Sequence, residues 1–157
     1  MLFTRYKQQK KQGEIKMKTN EHNEHCKNIV DTMLKYYNGD MYHYNGEDIC
    51  ISDFETMEND NGEYITIENS IVYLEDLEPL SLWDFFNDIY NINYIVDDKK
   101  EFVAVRIMIA CGGPNIYINT LDKQVELFWW TESGKAYIPY ELNDEINAIW
   151  EEYYNCL

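Results

Sequence analysis

The sequence predicts an α+β fold: an antiparallel sheet with amphipathic helices packed mainly on one face. Two patterns predict it. Helical periodicity is confined to three segments, near residues 21–37, 81–90 and 140–154, and the stretch from about 102 to 138 reads as a meander of strands separated by turn residues. At 157 residues and 45% hydrophobic content, the chain also has enough apolar material for one core.

The first helix is expected from about Glu21 to Tyr37. Cys26, Ile29, Val30, Met33, Leu34 and Tyr37 form its apolar stripe, and Gly39 follows as the stop. Asn45-Gly46 lies between Met41–Tyr44 and Asp48–Ile51, the composition of a short hairpin. Residues 59–62 form a further turn, after which Tyr64–Glu68 and Ile71–Leu74 read as strands. Pro79 and Ser81 introduce a second helix, with Ser81 as cap and Asp84 at the third helical position. Leu82, Phe85, Phe86, Ile89 and Tyr90 follow the helical period, which would place Asp84 and Asp88 on one side of that helix.

After a charged turn at Asp97–Glu101, Phe102–Cys111 is apolar at nearly every position except Arg106, as in a central strand buried on both faces. Gly112, Gly113 and Pro114 end it. Asn115–Thr120 and Gln124–Trp130 alternate around a turn at Leu121–Lys123, a second turn is expected at Ser133-Gly134, and Ala136–Ile138 would add a short edge strand. The final helix spans about Tyr140 to Tyr154, with Leu142, Ile146, Ile149, Trp150 and Tyr153 as its buried stripe. Glu141, Asp144, Glu145, Glu151 and Glu152 fall on its other faces.

Charge divides the chain. Residues 1–18 carry six cations and one acid and read as a basic, disordered tail, whereas residues 19–157 read as a single acidic domain. The whole chain has a net charge of −16, and removing the tail leaves seven cations against 28 acids, or −21. Gln12, Gly13 and Glu14 can be encoded by a purine-rich stretch like a ribosome-binding site, so Met17 is the expected native start. The tail is not a secretory signal, because no apolar stretch or cleavage site follows its positive residues. No apolar run is long enough to span a membrane. Direct nucleic-acid binding is disfavoured because displacing counterions from phosphates needs an excess of Lys and Arg.

Cys26, Cys50, Cys111 and Cys156 are widely spaced, which reads as reduced thiols, most of them buried, in a cytoplasmic protein. His22, His25 and Cys26 form one compact cluster without a second ligand pair, so a solvated first helical turn is expected there and no metal or other cofactor. No phosphate-binding loop, nucleophile elbow or His-Glu-x-x-His motif is present, and Gly112-Gly113-Pro114-Asn115 reads as a tight turn. Cys111 with His43 as base lacks any local support. Arg106, the single arginine of residues 19–157, is expected to pair with a carboxylate at the edge of the core. Adjacent or alternating aromatics, among them Trp129-Trp130, Tyr137 and Tyr140, cannot all face one core. Tyrosine and tryptophan exposed beside acids are what protein interfaces use as anchors, and a thick aromatic core with exposed hydroxyls is the alternative.

The box Ala110-Cys111-Gly112-Gly113-Pro114-Asn115-Ile116-Tyr117-Ile118-Asn119-Thr120, followed by Val125–Trp130 and the acidic last helix, resembles small acidic proteins of bacterial plasmids, conjugative elements and phages. The resemblance covers about residues 78–154 and implies kinship in size, acidity and genetic setting with anti-CRISPR and anti-restriction factors, with no catalytic role. The many Asn, Ile, Tyr and Lys residues suit a mobile genetic element of an AT-rich bacterium. The expected function is that of a DNA-mimic-like, non-enzymatic inhibitor that occupies the basic channel of a bacterial defence nuclease, a type II CRISPR effector or a restriction enzyme. Its expected partner-binding residues are Asp84, Asp88, Glu141, Asp144, Glu145, Glu151, Glu152, Trp130 and Tyr137. The alternatives are an immunity protein or antitoxin for a basic toxin, and a small enzyme using carboxylates.

Overall fold

The backbone of residues 2–157 and the side chains from Asn20 onward are described by a computed structural model. The fold is α+β, with three α-helices and eleven strands among the described residues, and every strand pairing among them is antiparallel. The acidic body, expected as one domain over 19–157, is organised in two compact units. One comprises residues up to Asp31 together with Asp88–Leu157, and the other Thr32–Asn87.

Helix α1 runs Leu2–Tyr37 and contributes to both units. Its start lies far before the expected Glu21. Lys, Gln and Glu favour a helix without producing an apolar stripe, so periodicity cannot find that part. The cationic side chains of residues 1–18, and the question of a start at Met17, lie outside the described residues. Within the expected stripe Cys26, Val30 and Met33 are buried, but Tyr36 is buried instead of the exposed Tyr37.

In the unit 32–87, β1 (Met41–Tyr44) and β2 (Glu47–Cys50) form a hairpin whose turn is Asn45-Gly46, with φ of 52° and 88°. Both central residues take the left-handed backbone that such a tight turn demands and that Asn and Gly supply most easily. Strands β3 (Met57–Asn59), β4 (Gly62–Ile67) and β5 (Ser70–Tyr73) make a separate three-stranded sheet, and β6 (Glu78–Pro79) joins β1 to complete the first. Ile65, Val72 and Leu77 centre the apolar core of this unit, flanked by Tyr42, Ile49, Phe54 and Leu74.

Helix α2 is one turn, Leu82–Phe85. The Asp84 carboxylate accepts hydrogen bonds from the Ser81 N–H at 2.7 Å and the Ser81 hydroxyl at 2.8 Å, as the capping sequence predicts. The expected continuation to Tyr90 does not form. Asn87 and Asp88 are poor helix formers, and the Tyr90 N–H donates instead to the Met108 carbonyl at 2.9 Å, leading into the next strand.

The unit that contains the C-terminus is a five-stranded meander of β7 (Asn91–Val96), β8 (Phe102–Ala110), β9 (Asn115–Asn119), β10 (Gln124–Trp129) and β11 (Glu132–Tyr137), in the order β11-β10-β9-β8-β7. Strand β8 is not buried on both faces as expected. Val105 and Ile107 on one face and Ala104 on the other are buried, but Arg106 is only half-buried and Val103, near the start of the strand on the Val105 face, is exposed. The last turn falls at Trp130-Thr131, since Trp129 pairs with Glu132, and Ser133 and Gly134 lie inside β11.

Helix α3 (Tyr140–Asn155) packs against β8 and buries Leu142, Ile146 and Trp150. Tyr153, expected on the buried stripe, is about half exposed, and Asn143 is buried instead, its amide donating to the Thr120 carbonyl at 3.2 Å. Among the described residues, no helix is long and apolar enough to cross a membrane.

Candidate interaction surface

Helix α3 carries a dense run of acids. Glu141, Asp144, Glu145, Glu151 and Glu152 are all exposed, and the helix contains no Lys or Arg. At 3.6 residues per turn these five carboxylates fall within about a third of the helix circumference, over about 16 Å of its length. That is one negative charge per about 3 to 4 Å, close to the spacing of about 3.4 Å per phosphate along one DNA strand. The arrangement works against the helix itself. Glu141 and Glu145 are like charges four residues apart, and Glu151 and Glu152 sit at the negative end of the helix dipole with no basic residue in the last turn. Apolar burial of Leu142, Ile146 and Trp150 holds the helix in spite of its charge pattern.

Tyrosines flank the start of this stripe. Tyr137 at the end of β11 and Tyr140 at the start of α3 are both exposed. Lys123 lies 4.9 Å from the centre of the Tyr140 ring. A hydrogen bond to Asp144, and then the charge of that carboxylate, hold the Tyr140 phenol above its ordinary pKa.

Trp130 stands apart from this group. It occupies the β10–β11 turn, whereas Tyr137 pairs with Gln124 at the far end of the same hairpin, a separation of about 17 Å along the strand. Asp84 and Asp88 do not form the expected row either. Asp84 is engaged in the α2 cap, Asp88 follows the helix in an irregular turn, and the two belong to different units.

The polar face of the sheet holds a network in which only Arg106 was expected to take part. Arg106 donates to Glu126 through Nη2 at 2.9 Å and Nε at 3.3 Å, and its guanidinium lies 3.8 Å from the centre of the Tyr117 ring. The other oxygen of Glu126 accepts from Asn119 at 3.0 Å and Gln124 at 3.1 Å. Burial alone would raise the Glu126 pKa, but the donors Asn119, Arg106 and Gln124 together hold it below the usual carboxylate range. With two donors on each oxygen its acceptor capacity is filled, so this carboxylate is a structural hub with no lone pair left to take a proton from a substrate. The alternation of Gln124, Glu126 and Phe128 is the sequence signal that places them on one face. Beside the network, Asn23, Gln124, Phe128, Ser133 and Lys135 line a half-open cavity of about 310 Å³.

In the other unit Asp48 accepts hydrogen bonds from the Tyr36 hydroxyl at 2.6 Å and pairs with His43 Nδ1 at 3.0 Å. These contacts, the Tyr36 bond foremost, hold Asp48 below its ordinary pKa. Cys26 and Cys50 are buried, while Cys111 and Cys156 are exposed, so half of the thiols are accessible where most were expected to be buried. His22 is not a free ligand: its Nε2 meets Glu132 at 3.1 Å. Among the described residues, no three His, Cys, Asp or Glu side chains are placed to share a metal ion.

The fold and its charged helix thus define an acidic α+β protein with an aromatic-flanked carboxylate stripe. In comparisons with protein-family models, curated proteins and solved structures, the chain has no match.

Proposed function

We propose that this protein is a non-enzymatic inhibitor that works in the bacterial cytoplasm by occupying the basic nucleic-acid channel of a defence nuclease, with a type II CRISPR effector as the leading target. The observation that carries this reading is the α3 stripe, five exposed carboxylates at close to the linear charge density of one DNA strand, on a helix without a single cation. A channel evolved to bind phosphates attracts such a surface from a distance, and Tyr137 and Tyr140 supply contact area beside it. The resemblance of the Cys111–Thr120 box to proteins of phages and conjugative elements supports the same genetic setting.

The test is competition for DNA. The purified protein should prevent a type II effector from loading on labelled target DNA, with an apparent affinity that falls steeply as salt rises. Glu141→Gln, Glu145→Gln and Glu152→Gln combined should weaken inhibition by at least tenfold. Unchanged DNA loading at low salt, across CRISPR effectors and restriction enzymes of the host, would exclude the reading. Stable capture of a basic toxin in place of a nuclease would favour an immunity protein.

A further inference from the structure

Trp130 occupies a backbone position that tryptophan does not favour. The β10–β11 loop has only two residues, because Trp129 pairs with Glu132, and its first residue has a φ of 53°. Gly and Asn normally supply this left-handed conformation, because a side chain at Cβ crowds the backbone there. The other described non-glycine residues at positive φ are Asn45, Asn69, Glu68, Lys100 and Lys123, all polar, and Trp130 is the one aromatic among them. Packing does not account for the choice, since the Trp130 side chain is 93% exposed. The preceding residues, Phe128 and Trp129, are also partly exposed, so the hairpin ends in an apolar projection from a strongly acidic chain. A strained position that carries a large ring into solvent indicates a use for the ring outside the fold.

We infer that Trp130 is the anchor by which the protein seats on a basic protein partner, stacking its indole on an arginine guanidinium. The inference rests on the reading above for the partner's charge. Indole is the strongest cation–π face among the side chains, and guanidinium is planar and weakly hydrated, so it stacks where a lysine ammonium stays solvated. The net charge of −16 draws both cations alike, which leaves the ring to tell them apart. The same charge opposes a second copy of the chain as the occupant of this tip.

Nona-arginine and nona-lysine serve as probes, titrated into the full chain and into Trp130→Gly at about 0.15 M salt. Wild type should bind nona-arginine about three- to tenfold more tightly than nona-lysine. Trp130→Gly should lose that preference, keep its affinity for nona-lysine, and melt no lower than wild type. An arginine preference that survives Trp130→Gly overturns the inference. So does a melting temperature lowered by several degrees, which would place the ring in the fold, or self-association that disappears with the ring. The two proposals fail separately: Trp130-dependent arginine preference without nuclease inhibition removes only the inhibitor reading, and full inhibition by Trp130→Gly removes only the anchor.

Discussion

Gly134 lies directly against the backbone of His22: a Cβ built on Gly134 would sit 2.4 Å from the His22 carbonyl carbon and 2.5 Å from its Cβ. Gly134 pairs with Leu127, so the missing side chain would point to the buried face of the sheet. Helix α1 uses that space. The contact is fastened on both sides, by His22 to Glu132 at 3.1 Å and by the Lys135 N–H donating to the Asn23 side chain at 2.8 Å.

Gly134→Ala should therefore destabilise the protein by about 2 kcal/mol or more, because backbone on both sides must move to admit the methyl group. Gly113 is the control: an added Cβ meets nothing within 4 Å and its φ is not in the left-handed region. Gly113→Ala should leave stability within about 0.5 kcal/mol of wild type. Urea unfolding of the two variants measures the difference, and equal midpoints would contradict the close approach of α1.

Removing the charge of Glu126 tests the polar network. Glu126→Gln should cost about 2 kcal/mol at neutral pH, since the half-buried Arg106 loses its counter-charge and the largely buried hub loses an acceptor of charge-assisted hydrogen bonds. The Glu126 pKa is depressed in the fold, so its contribution is present above the unfolded carboxylate value and disappears as pH falls through the lower folded value. Wild type should thus lose its advantage over Glu126→Gln on acidification below the ordinary carboxylate range. Denaturation midpoints of both proteins across that range check the sign.

The charge pattern of α3 predicts opposite effects on stability and on inhibition. Glu151→Lys with Glu152→Lys places cations at the negative end of the helix dipole and should stabilise the fold by about 0.5 to 1 kcal/mol. The same change removes two of the five carboxylates and should weaken nuclease inhibition. Thermal melting and the DNA-loading assay read the two effects separately.

Thiol accessibility gives a fourth check. Cys111 and Cys156 should react with a thiol reagent in the native protein, and Cys26 and Cys50 only on unfolding. For Cys26 burial acts twice, by blocking access and by pushing its pKa up to about 11, so that little thiolate forms at neutral pH.

What could be read from the sequence was the local chemistry. Asn45-Gly46 announces its turn, the capping residues Ser81 and Asp84 mark the start of α2, and the apolar period of α3 predicts its extent to within a residue at its C-terminal end. What could not be read depends on partners distant in the chain. The end of α2 is decided by the pairing of Tyr90 with Met108, and Gly134 resembles a turn glycine until α1 is laid over it. The turn at Trp130-Thr131 leaves no signal in the sequence because neither residue is a turn former. For the candidate surface, the α3 acids were legible because one helix presents them, whereas Asp84 and Asp88 failed when their helix stopped after a turn. Among so many acids, Glu126 is singled out only by the register that sets it beside Asn119, Gln124 and Arg106.

The meander also has a temporal side. Each pairing among β7 to β11 joins strands that are consecutive in the chain, so the sheet can assemble as it leaves the ribosome. Asn23 and Lys135, by contrast, are separated by 112 positions, and α1 must wait through most of translation for the edge it covers. When β11 emerges, the segment that takes up its Lys135 N–H, on the edge where another chain could pair, is already made and close at hand.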